Sequence, residues 1–169
     1  MYTKLIRNIL LFFGLLVMQL FICDNIRFGG YVKPCVYILF VMLMPFSSSR
    51  VKLMFNGFLI GMAVDIYNGT PGLNAAAMVL IAYLRPYIIS LMTRKNELEG
   101  KTYPSIAEME IKWFSIYAAL LLIIHNLTLF LLEAFSFRLF HQVLLEVLIS
   151  VPVSLILIIL FCYVIKPLK

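Results

Sequence analysis

Long apolar runs, each closed by charged or turn residues, divide the chain into six segments: Leu5 to Cys23, Tyr31 to Phe46, Leu53 to Tyr67, Gly72 to Met92, Trp113 to Phe135, and Phe140 to Ile165. A helix that crosses the hydrocarbon core of a bilayer takes about 20 apolar residues at about 1.5 Å each. The pattern therefore predicts an all-α polytopic bundle of about six transmembrane helices. The second and third runs are short for a full crossing, which leaves a re-entrant or tilted segment open for both. The first run, preceded by Lys4 and Arg7, has the outline of a secretory signal. It lacks a small-x-small cleavage site and reads as an uncleaved first span.

Composition sharpens this picture. Of 169 residues, 63% are hydrophobic and only 13% charged, more apolar surface than a soluble domain can bury. Six spans consume most of the length, so residues 1–169 form one membrane domain whose longest loop, about residues 93–112, is a solvated connector. A net charge of +6 would suggest nucleic acid in a soluble protein. Here the basic residues flank apolar runs, where anionic headgroups and insertion topology account for them. With the N-terminus inside, eleven of the fourteen Lys and Arg residues fall inside, and only Arg27, Lys33 and Arg138 fall outside. That bias predicts both chain ends in the cytoplasm. Arg85, within the fourth run, is expected to snorkel to the inner surface. Cys23, Cys35 and Cys162 read as apolar filler, with a Cys23–Cys35 pair near the outer surface left open.

The informative residues in such a chain are the polar ones inside the runs, because an unpaired charge in hydrocarbon costs several kcal/mol. In the third run Gly57, Gly61, Asp65 and Gly69 recur every four residues and share one helical face, drifting about 40° per step. Gly57 and Gly61 form a GxxxG pair, which admits another helix at backbone distance. That seam either packs within the subunit or carries Asp65 into an interface with a partner. The following turn, with Gly69, Pro71 and Gly72 ahead of Asn74, reverses the chain. Before the fifth run, Ser105 and Glu108 have the spacing of a capping box, so that helix is expected to begin in the interface and continue into the membrane.

In the sixth run Gln142, Glu146, Ser150 and Ser154 make a polar stripe, with Glu146 roughly 9 Å below the outer edge. His125 lies near mid-depth in the fifth run. If these faces converge with Asp65 and Asn74, they form an intramembrane polar cluster. It is either a satisfied structural network or a relay or ligand site. The sequence carries no Ser-His-Asp spacing, HExxH, CxxC, Walker loop or paired catalytic carboxylates. The expectation is a non-enzymatic protein with no cofactor.

The stretch from Gly57 to Ala75, GFLIGMAVDIYNGTPGLNA, resembles the signature of the bacterial rod-shape-determining MreD family. That family shows a glycine-rich helix ending in Asp, a short turn with Gly and often Pro, and a Gly opening a helix of small residues. The motif falls here on Gly57, Gly61, Asp65, Gly69, Pro71 and Gly72. The resemblance implies a multi-pass protein of the bacterial inner membrane, similar in fold to the S-components of energy-coupling-factor transporters. It implies a non-catalytic scaffold of the cell-elongation complex that supports lateral peptidoglycan synthesis and cell shape. Its partners would be MreC and, through it, RodA, RodA's partner penicillin-binding transpeptidase and MreB. The competing expectation is a substrate-binding membrane subunit of a vitamin-type transporter, in which Asp65, Asn74, His125 and Glu146 line a pocket open to the outside.

Overall fold

The computed structural model describes residues 2–23, 33–134 and 140–165. Among these the chain is all-helical, with no strand. Helix α1 spans Tyr2–Met18 and continues as a π-helical turn over Gln19–Cys23; α2 is Leu39–Met42, α3 Arg50–Asn68, α4 Leu73–Met92, α5 Ile106–Met109, α6 Ile111–Ala134 and α7 Phe140–Ile165. Among the described residues three stretches are long and apolar enough to cross a bilayer: α4, α6, and Val143–Val164 within α7. The apolar part of α1, Asn8–Phe21, is shorter. Helix α3 has 19 residues, among them Arg50, Lys52 and Asp65.

Helices α3 and α4 form a tight hairpin, α4 packs on α6, and α6 packs on α7. The second apolar run departs from the helix expected of it. Over residues 33–46 only the single turn of α2 is helical. Pro34 supplies no N–H and disfavours helix at the residue before it, and Pro45 does the same at the other end. The segment is nevertheless buried: Val36, Ile38, Leu39, Val41 and Met42 have no solvent exposure. Its path follows α6 in the opposite direction. Lys33 pairs with Glu133, Cys35 with Asn126, Tyr37 with His125, and Met42 with Tyr117. Phe46 N–H finally donates to the carbonyl of Thr102 in the loop before α6, at 3.0 Å. Thus residues 33–46 thread the bundle from the Ala134 end of α6 to its Ile111 end. Helix α1 lies alongside them, with Gln19 beside Pro34 and Phe12 edge-on to Phe40 at 5.3 Å.

The start of the fifth run is also rearranged. Ser105 makes no side-chain cap, and the Glu108 carboxylate accepts from the backbone N–H groups of Thr102 and Tyr103 at 2.5 and 3.0 Å. Helix α5 stops after one turn because Glu110 turns to φ 68°. The Glu110 carbonyl then accepts from Phe114 N–H and starts α6 separately. None of the three cysteines forms a disulfide.

Candidate functional site

The α3–α4 turn is built around one carboxylate. Gly69 ends α3 and Gly72 starts α4, at φ 67° and 79°, the left-handed region that glycine enters without Cβ strain. A glycine at the start of α4 has no side chain to satisfy the helix's first N–H groups. Asp65, one turn before the end of α3, does so instead. Its Oδ1 accepts from Asn74 N–H at 3.1 Å and its Oδ2 from Ala75 N–H at 2.9 Å. The Thr70 hydroxyl and the Asn74 amide also donate to Oδ1, at 2.5 and 2.8 Å. Four donors and the positive end of the α4 dipole thus surround this buried carboxyl group. Gly57 and Gly61 let α4 come close enough for this. A Cβ on Gly61 would sit 2.6 Å from the Ala75 Cα, and one on Gly57 3.0 Å from the Met78 carbonyl oxygen. The glycine seam is therefore filled by α4 of the same chain, which removes Gly57 and Gly61 as a docking surface for a partner helix.

From Asp65 the hydrogen bonds continue inward with one polarity. Because the Asn74 amide donates to Asp65 and Thr70, its carbonyl oxygen faces the core, where the Tyr37 hydroxyl donates to it at 2.8 Å. Tyr37 has one hydroxyl proton, so His125 Nε2, 2.9 Å from the same oxygen, must be the donor of that pair. His125 thereby carries a proton on Nε2. Its Nδ1 and the Nδ2 of Asn126 are buried side-chain atoms that make no hydrogen bond in the structure. Asp65, Asn74 and His125, whose convergence the sequence left conditional, are linked here through Tyr37 of the threaded segment.

Side chains also replace the missing helix of residues 33–38. Ser150 accepts from Lys33 N–H at 3.2 Å and Ser154 from Cys35 N–H at 2.9 Å. Gln19 accepts from Val36 N–H at 2.8 Å and donates to the Pro34 carbonyl at 2.9 Å. At the other end Arg85, only 1% exposed, does not reach for the surface as expected. Its Nε donates to the Tyr117 hydroxyl at 2.8 Å, and its Nη2 to the carbonyls of Met42 and Met44. Tyr117 donates to the Met42 carbonyl as well. A cation thus closes the C-terminal end of α2, where unpaired carbonyls and the helix dipole favour positive charge.

Glu146 does not join the Asp65 chain. It lies one turn before Ser150 on α7, within electrostatic reach of Lys33 and Glu133, whose ion pair measures 2.6 Å. Gln142 is on α7, but its side chain lies outside the described residues. Pro71 is exposed in the turn. The sequence reading missed Tyr37, Thr70, Gln19 and Tyr117. Gln19 was visible as the one polar side chain between Ile9 and Cys23; Tyr37 looked like any other aromatic in a greasy segment.

The chain matches no protein-family model, no curated protein and no solved structure.

Proposed function

We propose that this chain is a non-catalytic scaffold of the bacterial inner membrane, acting in the cell-elongation complex as MreD proteins do. In this reading it crosses the membrane six times, with both ends in the cytoplasm. Residues 33–46 make the second crossing without a continuous helix. Non-helical backbone survives at membrane depth only where protein or water satisfies it, which suits a segment enclosed on all sides by its own bundle. The orientation follows the basic residues: Arg50, Lys52, Arg94, Lys101 and Lys112 lie at or beside one end and Lys33 at the other.

The observation that carries the scaffold reading is the state of the polar chain. Asp65, Asn74 and His125 are turned toward one another and Tyr37, and the bundle interior is filled by residues 33–46. Residues so engaged support a rigid platform better than a vitamin pocket. A partner helix, such as the single span of MreC, would then meet an outer face. On α3 that face carries Phe55, Phe58, Leu59, Met62 and Ile66, all exposed.

The test is copurification from membranes with tagged MreC, combined with cysteine crosslinking along Phe55, Leu59 and Met62. Partner adducts on one face, and rods rounding up when the protein is depleted, are the expected results. Unchanged cell shape and no adduct at any outer face would end the reading. A vitamin-sized molecule retained through purification would return the transport alternative.

A further inference from the structure

At the same end of the bundle as the start of α3 lies a cavity of about 670 Å³ between α3, α4 and the loop that follows α4. Arg50, Arg85 and Arg94 all line it, together with Ser48, Ser90 and Thr93, and no carboxylate does. We infer that this cavity binds the phosphate group of an anionic lipid headgroup.

The charge pattern is the first reason. Three guanidinium groups around one concavity repel one another, and a concave wall of low dielectric focuses their field on an anion. Arg85 is held by neutral oxygens alone, those of Tyr117, Met42 and Met44, and the described residues place no carboxylate within ion-pair distance of it. Arg50 is held in position: its Nη1 donates to the Tyr87 hydroxyl at 2.8 Å and its guanidinium lies 4.6 Å from the centre of that ring. Arginine's planar fork suits phosphate oxygens, so two positioned arginines with the exposed Arg94 beside them make a recognition surface for that group. Thr93 accepts from Trp113 Nε1 at 2.7 Å, which leaves its own hydroxyl proton for an acceptor in the cavity.

The apolar part of the wall is the second reason. Phe46, Leu53, Pro86, Ile89 and Leu98 form that part, which suits the glycerol and first methylenes of a lipid better than a hydrated inorganic ion. This choice of source rests on the membrane reading above, but the test below does not depend on MreC or on cell shape.

The full chain, purified in neutral detergent, is titrated with dioleoyl phosphatidylglycerol, dioleoyl phosphatidylcholine or inorganic phosphate, and binding is read by native mass spectrometry and thermal unfolding. Phosphatidylglycerol should bind in preference to phosphatidylcholine. Arg50→Gln with Arg94→Gln should weaken it about tenfold or more, by loss of charge-assisted hydrogen bonds. Arg94→Gln alone, at an exposed position, should still give a severalfold loss and guards against misfolding of the double variant. Binding of inorganic phosphate that is lost in the same variants supports the phosphate site and assigns it to a soluble ligand. Equal binding of both lipids, or affinity unchanged in the variants, overturns the proposal.

Discussion

Asp65 shows how one side chain can be required for reasons that its spacing alone does not reveal. Its place on the glycine face of α3 suggested an interface residue, whereas its carboxylate serves as the missing N-cap of another helix. Asp65→Ala leaves the N–H groups of Asn74 and Ala75 buried without acceptors. We expect it to cost about 3 kcal/mol in unfolding experiments in mixed micelles. Tyr37→Phe removes only the hydroxyl that links Asn74 to His125 and should cost about 1 to 2 kcal/mol in the same measurement. A smaller loss for Asp65→Ala than for Tyr37→Phe would contradict the capping role. Of these two residues, only Asp65 was legible from the sequence, because a charge in an apolar run demands a partner whereas a tyrosine does not.

The helices divide into those written in local pattern and those decided by neighbours. Helices α4, α6 and α7 are long uninterrupted apolar stretches, and their boundaries fall within a few residues of the expected ones. The segment 33–46 has the same apolar character, yet only one turn of it is helical. Its backbone N–H groups are met by Gln19, Ser150 and Ser154, residues far away in the chain. The glycine seam was likewise legible as a close-packing face but not as to which helix fills it. Gly61→Ala would drive a methyl group into the backbone of Ala75 and should cost about 3 kcal/mol. Gly57→Ala meets a carbonyl oxygen at 3.0 Å and gains helix propensity, so its net effect should stay within about 1 kcal/mol. Equal effects of the two, read from their unfolding midpoints, would show that α3 and α4 separate more easily than their packing implies.

For the molecule as a whole, the hairpin of α3 and α4 puts the Gly69–Gly72 turn and the loop after Met92 at opposite ends. With Cys162 replaced by Ala, Asn68→Cys should react with a membrane-impermeant maleimide on intact cells. Asn96→Cys should react only after permeabilisation. Both positions are exposed. Labelling of both from one side would refute the proposed topology. The gathering of basic residues at one end is what motivates this expected orientation.

Hydrophobicity and charge bias are properties of each stretch of chain against its solvent, so they specified helices long and apolar enough to cross a bilayer, and an expected orientation, without reference to neighbours. Hydrogen-bond partnership is a property of pairs that are distant in sequence. Only the packed structure decided that Asp65 caps α4, that Arg85 is buried against the carbonyls of Met42 and Met44, and that α2 is a single turn. An extended segment can lie inside such a bundle when other helices supply its missing partners, and no window of local sequence contains them.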